Sequence, residues 1–487
     1  MPSSTYHVVI IGGGISGLAA AFFVMEEAEK HQLALQCTVV ERDARWGGKI
    51  LTNRQQDLLI EGGPDSFLTS KPWALALCRT LGLEDQLIPT NTENNHTFSF
   101  CHGALRELPQ GLLAFRPQRV DTLVSSGLLS WGGLLRMGAE RVWPKSSARF
   151  SDESLGSFFR RRFGAEAFDY LIEPLVAGIY AGDADELSIE ATFPRFRELE
   201  AQYGSVIKGM RTAQATAKIA PKAPGVSPSL FMTLRNGLGH LIEVLVNTLT
   251  DRGVQLLTGS GCREVQPTAS NDGRYQVSLD NQDLLTADAV VLTTPTYQTA
   301  QMIRTIQPEV ANLLDMIPYT STATISMTYP TEAIAKHIRG FGFVVPRKEQ
   351  RELLAATWTS LKWPYRSQKG ETLIRCYVGG RGREHILEYD DRKIVESVRQ
   401  ELQGIVGITT PPTYTEVHRW IRGMPQYVIG HQARLASIKE LMRPWPNLHM
   451  SGAGLYGIGI PDCIREGSRV AENLAQSFLQ NSKPTGP

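Results

Sequence analysis

Few local patterns restrict a fold as tightly as a strand that ends on a glycine-rich turn and restarts as a helix, and this chain has one near its start. Val8-Val9-Ile10-Ile11 is a β-branched run with the composition of a buried parallel strand. Gly12-Gly13-Gly14-Ile15-Ser16-Gly17 follows at once and satisfies G-x-G-x-x-G through Gly12, Gly14 and Gly17. A helical stretch over 18–30 and a second strand, Thr38-Val39-Val40, complete a strand–helix–strand order that ends on Glu41. Gly12 permits the turn, Gly14 lets backbone approach a pyrophosphate, and Gly17 lets helix and sheet pack closely. The N-terminus of that helix offers free N–H groups and a positive dipole to phosphates. Glu41 can accept both hydroxyls of a ribose. The pattern predicts a dinucleotide-binding α/β unit.

Composition narrows the class. Hydrophobic residues make up 42% and charged residues 20% of the 487, which suits a globular protein with a large core and excludes a disordered chain or a coiled coil. At roughly 100–200 residues per domain, the length predicts two or three structural units. Lys and Arg number 50 against 49 Asp and Glu, so net charge gives no reason to expect nucleic acid as a partner. Cys37, Cys78, Cys101, Cys262, Cys376 and Cys463 are scattered, with no C-x-x-C pair; isolated buried thiols in a reducing compartment are expected, and no metal site. The uncharged run over 7–25 has no basic residue before it and is interrupted by glycines, so it reads as part of the nucleotide unit, not as an export signal or membrane span. The apolar stretch 123–135 is too short for a bilayer, which takes ~20 residues, and is expected to lie on the surface or line a pocket.

A second glycine pair selects among dinucleotides. Arg42 follows Glu41, then come Arg45-Trp46-Gly47-Gly48-Lys49 and Glu61-Gly62-Gly63-Pro64-Asp65-Ser66-Phe67. This arrangement resembles the flavoprotein family of amine oxidases, phytoene desaturases and protoporphyrinogen oxidases. The resemblance implies FAD in place of NAD. In that family the second motif also contacts the pyrophosphate, and the following Gly-Pro loop lies by the isoalloxazine. Arg42, Arg45, Gly48, Lys49, Gly63, Pro64, Asp65 and Ser66 thereby join Gly12, Gly13, Gly14, Ile15, Ser16, Gly17 and Glu41 as expected cofactor residues. Gly259-Ser260-Gly261-Cys262 resembles the start of the strand whose main chain meets the adenine, at Cys262. Leu448-His449-Met450-Ser451-Gly452 reads as a strand, and Gly457-Ile458-Gly459-Ile460-Pro461-Asp462-Cys463 opens a helix over 464–478. Gly452, Ile458, Gly459 and Ile460 are expected at the electron-rich edge of the flavin, where backbone donors at a helix start are favourable. Cys463 lacks the Ser-Gly-Gly-Cys context of a covalent flavin linkage, so the FAD is expected to be non-covalent.

The fold class expected is α/β, with a discontinuous Rossmann-like FAD-binding domain (1–90, 226–300 and 416–487). A mixed α+β substrate-binding domain (301–415, with about 91–104) and a mostly helical insert (105–225) complete it. The insert is expected to line the pocket and can touch a membrane surface. Residues 218–229, with Pro221, Pro224 and Pro228, read as a loop or linker.

Leu171-Ile172-Glu173-Pro174-Leu175-Val176-Ala177-Gly178-Ile179-Tyr180-Ala181-Gly182-Asp183 resembles a segment particular to protoporphyrinogen oxidases and the related bacterial coproporphyrinogen oxidases, where it flanks the porphyrinogen pocket. His102-Gly103-Ala104-Leu105, with Leu108, Pro109 and Gly111, resembles the start of the family's helical region. Trp420-Ile421-Arg422-Gly423-Met424-Pro425-Gln426-Tyr427, with Gly430-His431, resembles its approach to the last flavin segment, with Trp420 beside the cofactor. The resemblance implies an oxygen-consuming oxidation in haem biosynthesis, of coproporphyrinogen III to coproporphyrin III or of protoporphyrinogen IX to protoporphyrin IX. Its steps are successive hydride transfers to flavin N5, with peroxide released. No side-chain base is demanded and none is assigned. Lys71 is the expected partner of a substrate carboxylate or else a solvated lysine before Pro72; Gly178 and Ala181 keep one wall low, and Tyr180 packs on a pyrrole or serves as core. Some relatives carry a further arginine where this chain has Thr97. The expected partners are the porphyrinogen, molecular oxygen and a downstream chelatase, in the cytoplasm or at the inner face of the plasma membrane. An amine oxidase or carotenoid desaturase on the same fold, and a flavin-binding scaffold without catalysis, are the alternatives.

Overall fold

A computed structural model describes residues 5–55, 57–93, 95–109, 121–144, 152–219, 229–270 and 273–481. Gly111 and most of the proline-rich 218–229 stretch fall outside them. The first strand runs Tyr6–Ile11 and is the centre of a five-stranded sheet in the order Gln255–Leu257, Leu35–Val40, Tyr6–Ile11, Ala289–Leu292, Leu448–Met450. All its pairings are parallel, with Val8 opposite Cys37 on one side and Ala289 on the other. Strands covered on both faces need unbroken apolar runs, and Val8, Val9, Ile10, Val290 and Leu292 are fully buried. Three of the five strands lie beyond residue 250, so the unit is assembled from distant stretches.

The first helix, Ile15–Lys30, begins earlier than its composition predicts because Gly14, in extended backbone, takes the N-cap position. It packs against the final helix, Ile460–Asn481, so closely that a Cβ on Gly467 would lie 2.9 Å from Ala20 N. That helix too starts before its predicted position, since Pro461 needs no N–H donor in a first turn.

A second sheet has seven strands in the order Tyr414–Pro425, Tyr319–Pro330, Glu371–Gly379, Leu353–Trp358, Gly342–Val344, Thr97–Cys101, Ala104–Glu107. Only the pairing of Gly342–Val344 with Thr97–Cys101 is parallel. Three expectations are corrected here. Residues 416–425 were expected in the FAD domain; they form the edge of this second sheet, paired along Tyr319–Pro330 with one register shift. The helices Thr296–Ile303 and Pro308–Asp315 extend past the expected boundary at 300 and bury Ile303, Val310 and Leu314 in one core with Val9, Ile11 and Val290 of the first sheet. His102-Gly103 does not open the helical region. Its φ values of 53° and 74° make it the two-residue turn of a hairpin, and helices start only after the second hairpin strand.

The helical unit has its own core around Phe158, Phe159, Phe168 and Val176. Within it Arg162 and Glu140 form a fully buried ion pair; Glu140 also accepts from the Ser205 hydroxyl (2.5 Å) and the Val206 N–H (2.8 Å). The apolar stretch 123–135 divides at Gly127 (φ 66°) into helices Asp121–Ser126 and Trp131–Gly138. Leu128 and Leu129 point inward, whereas Trp131 and Leu135 are each 76% exposed.

Candidate functional site

The first glycine loop is locked from both sides. Gly12 N donates to Val40 O (2.8 Å), and the Thr293 hydroxyl donates to Ile11 O (2.9 Å) and Gly12 O (3.1 Å). A Cβ built on Gly17 would fall 1.8 Å from Gly12 O, and one on Gly13 would enter the Trp46 ring. Gly14 differs: among the described residues its Cβ would meet nothing nearer than Gly48 Cα at 4.0 Å, so none of them requires a glycine there. In front of it lies the second glycine pair. Gly47 N donates to Gly13 O (2.8 Å), Gly14 and Gly47 form a parallel bridge, and Gly48 has a φ of 55°. Two loops without side chains therefore face each other beside a helix N-terminus. Such a cradle suits a pyrophosphate, whose oxygens accept backbone N–H groups.

Lys49 ends the second loop. Burial lowers its ammonium pKa, and among the described residues no carboxylate or carbonyl takes it. A partly desolvated cation without a partner is stabilised by an anion placed beside it. Glu41 accepts the N–H of Gly13 (2.6 Å) at one oxygen and of Asp43 (2.8 Å) at the other; each oxygen keeps a lone pair for a ribose hydroxyl. Arg45 turns inward to Gly48 O (2.5 Å) and Ile50 O (3.3 Å) and so braces the second loop. Arg42 is exposed, 4.0 Å from Asp280. Cys262 packs with Ile11 and Val40, and burial pushes its thiol up to about 12.

The Gly62-Gly63-Pro64-Asp65 loop leaves the strand Leu58–Glu61 and is clamped to the second sheet. Gly62 O accepts from the Trp420 indole (2.8 Å), the Thr324 hydroxyl (2.9 Å) and the Arg375 guanidinium (3.3 Å), which also donates to Gly63 O. Gly63 passes so near Lys49 O that a Cβ would lie 1.7 Å from it. Asp65 accepts from Lys362 (3.2 Å), the Trp363 indole (3.1 Å) and the Ser66 hydroxyl (2.6 Å). Burial opposes its ionisation, but Lys362 and Arg375 outweigh it and hold the carboxyl well below the usual range. The side chains of Asp65, Ser66 and Trp420 are thus engaged in fixing this loop.

The last segment crosses over Thr293: a Cβ on Gly452 (φ 115°) would lie 3.1 Å from Thr293 O. Tyr427 ties the following turn, its hydroxyl donating to Ala453 O (2.6 Å) and accepting from Gly457 N (2.8 Å). Its ring stacks on His431 at 4.2 Å and meets Tyr180 edge-on at 6.4 Å. Through Tyr427, and through Gln426 Nε2 donating to Tyr180 O (2.8 Å), the helix Glu173–Tyr180 is joined to the segment carrying Ile458, Gly459 and Ile460. Gly178 is exposed, with open space where a Cβ would stand, and Ala181 has a φ of 49°. Tyr180 is 6% exposed and packs on Phe193 and Tyr427.

Lys71 is half-exposed, and its ammonium donates to Asp462 Oδ2 at 2.5 Å, in the first turn of the final helix. A cavity of about 400 Å³ lies on the far side of Glu173, but its walls are ion pairs, among them Arg347–Asp183 and Lys348–Asp169, and it does not touch the glycine loops. Sequence reading missed Thr293, Trp46, Arg375, Lys362, Trp363 and Tyr427. Trp46 and Tyr427 stood inside recognised motifs, though without a role of their own; the others act across distant sequence.

The family model for flavin containing amine oxidoreductase matches residues 15–475. The chain is 37% identical, over 98% of its length, to the whole of coproporphyrinogen III oxidase of Bacillus subtilis (strain 168). It is 30% identical to chloroplastic protoporphyrinogen oxidase 1 of Arabidopsis thaliana, over 98% of this chain and 89% of that one. A crystal structure of a provisionally named protoporphyrinogen oxidase from Exiguobacterium sp. 255-15 superposes with a TM-score of 0.83 at 31% identity, covering 97% of this chain and 99% of that one. The paired glycine loops, the unpartnered Lys49 ammonium and the open face of Gly14 fit a flavin dinucleotide, and the match runs through all three structural units. The chain belongs to the flavin-containing amine oxidoreductase family, with FAD as its cofactor.

Proposed function

We propose that this protein is an FAD-dependent oxidase that converts a porphyrinogen to the porphyrin in haem biosynthesis, with coproporphyrinogen III as the preferred substrate. The observation that carries the reading is the 37% identity, end to end, with the Bacillus subtilis coproporphyrinogen III oxidase. When bound, FAD supplies a two-electron acceptor that molecular oxygen restores, with peroxide released. Porphyrinogen to porphyrin loses six hydrogens, so three rounds, each reducing one O₂ to H₂O₂, balance the reaction. The chain's part is binding and orientation. The loops at Gly12–Gly14 and Gly47–Gly48 hold the phosphates, Lys49 offsets their charge, and Glu41 takes the ribose. Ile458, Gly459 and Ile460 supply main-chain donors at a helix start, favourable to negative charge. The helix Glu173–Tyr180 shields one side from water, and the clamp on Gly62 fixes the second sheet relative to the cradle. A propionate reaching Lys71 has to compete with Asp462.

Anaerobic mixing tests the proposal. Coproporphyrinogen III should bleach the yellow flavin and yield porphyrin fluorescence, faster than protoporphyrinogen IX, and simple amines should leave the colour unchanged. Bleaching by amines with none by porphyrinogens moves the protein to the amine oxidases; no bleaching by either leaves a flavin-binding scaffold. Acid precipitation should release all the flavin into the supernatant, since Cys463 is a buried thiol whose pKa is raised by burial.

We extend the proposal to peripheral attachment at the cytoplasmic face of the plasma membrane. Among the described residues no helix is long and apolar enough to cross a membrane. The helix Trp131–Gly138 and the turn after it nonetheless present Trp131, Leu135 and Val142, the last 86% exposed, as a patch suited to a lipid surface. Flotation with anionic vesicles should carry the protein upward and fail for the Trp131→Gln, Leu135→Gln double variant; equal flotation of both refutes the patch. Nothing on the described surface identifies a chelatase as a partner.

A further inference from the structure

Beneath the Gly62-Gly63-Pro64 run lies a cluster of charged side chains out of water. Glu61 is 4%, Arg366 1% and Arg375 4% exposed, with Lys362 and Asp65 beside them. Two ion pairs account for four of the five: Lys362 with Asp65 at 3.2 Å and Arg366 with Glu61 at 3.8 Å. Arg375 is the surplus cation. One of its terminal nitrogens donates to Gly63 O and Gly62 O, its plane lies 5.0 Å from the Tyr377 ring, and its Nε is buried without a hydrogen-bond partner.

The carbonyl it grips is held by three donors, all from the second sheet. A trans peptide is planar, so a carbonyl turned toward that sheet puts the N–H of the next residue on the opposite side. That N–H belongs to Gly63, and no acceptor among the described residues takes it. Pro64, next in line, has none to offer. The loop thus presents the Gly63 N–H away from the second sheet, oriented by Arg375, Thr324 and Trp420.

We propose that Arg375 is a positioning residue for the flavin, one that aims the Gly63 N–H and holds uncompensated positive charge behind it, so that the flavin's midpoint potential is raised. This rests on the reading above that the flavin lies against this loop. Reduction adds negative charge to the ring system, and a fixed donor backed by a desolvated cation stabilises the reduced form more than the oxidised one.

Dye-equilibrium titration of the FAD-loaded, full-length protein reads the potential without any substrate. At a fixed dye potential, Arg375→Gln should lower the ratio of reduced to oxidised flavin at least tenfold, about 30 mV for a two-electron couple. Arg375→Lys, which keeps the charge but not the planar fork, should shift it less than threefold. Asp65→Asn removes a negative charge from the same cluster and should move the ratio the other way; it serves as the readout if Arg375→Gln does not fold. An Arg375→Gln ratio within threefold of wild type, or an unchanged ratio in Asp65→Asn, overturns the proposal. Failure of porphyrinogen to bleach the wild-type flavin is a separate result that touches only the function reading.

Discussion

Gly14 and Gly17 belong to one glycine motif, yet the same added methyl group should affect them in opposite ways. In Gly17→Ala the Cβ falls 1.8 Å from Gly12 O and 2.8 Å from Thr293 Oγ1. Ordinary contact needs roughly 3.5 Å, so helix and strand must separate by more than ~1.5 Å. The helix cannot retreat freely, because its backbone at Ala19 and Ala20 is already packed against Gly467 of the final helix, where a Cβ would lie 2.9 Å from Ala20 N. Overpacking of this kind costs about 3 kcal/mol, with or without FAD. In Gly14→Ala the backbone, at φ −76° and ψ 179°, suits alanine, and the methyl meets no atom closer than 4.0 Å. The fold should be unaffected, but the methyl fills the space where a phosphate would approach. Loss of one charge-assisted hydrogen bond is about 1.5–3 kcal/mol, roughly 10–150-fold in FAD affinity. Thermal melts of the apoproteins and FAD titration by fluorescence quenching separate the two effects. Gly14→Ala binding FAD within threefold of wild type, or its apoprotein melting as low as that of Gly17→Ala, refutes the assignment of the open face to the pyrophosphate.

Other expectations follow from single contacts. Arg162→Met leaves Glu140 as an uncompensated charge in the helical core and should cost about 3–5 kcal/mol in urea unfolding. His431 is buried and neutral: burial lowers its pKa to about 4 from 6.5, opposed by its bond to Leu455 O. The unfolded chain takes up a proton below pH 6.5 and the folded one only near pH 4, so stability is full above 6.5 and falls between 6.5 and 4 by about 3 kcal/mol. Urea midpoints against pH should show this fall and lose it in His431→Gln. Lys71→Met should weaken FAD retention by about 1 kcal/mol, through loss of the brace on Asp462, with no change in KM for the porphyrinogen. A tenfold rise in KM at unchanged FAD affinity would instead make Lys71 a substrate residue.

What was legible in the sequence was what is local. The strand, glycine turn, helix and acid at 8–41 lie within one strand–helix–strand unit, so their spacing alone specifies the geometry. The second glycine pair was equally plain, but not that it would bridge to the first through Gly47 and Gly13. Thr293 locks the first loop from a strand more than 280 positions away, and Lys71 meets Asp462 across 391. No periodicity encodes such pairs. His102-Gly103 was misread because a helix start was expected by analogy, whereas two positive φ values in succession call for a tight hairpin. The strand Tyr414–Pro425 was placed in the wrong unit since an edge strand and a connecting segment look alike until a neighbour is known.

The burial of all six cysteines has a consequence for durability. Thiolate, not thiol, reacts readily with peroxide, and desolvation raises the pKa of each, to about 12 for Cys37, Cys78 and Cys262. A catalyst that generates an oxidant at every turnover has, among the cysteines of this scaffold, almost no reactive thiol within that oxidant's reach.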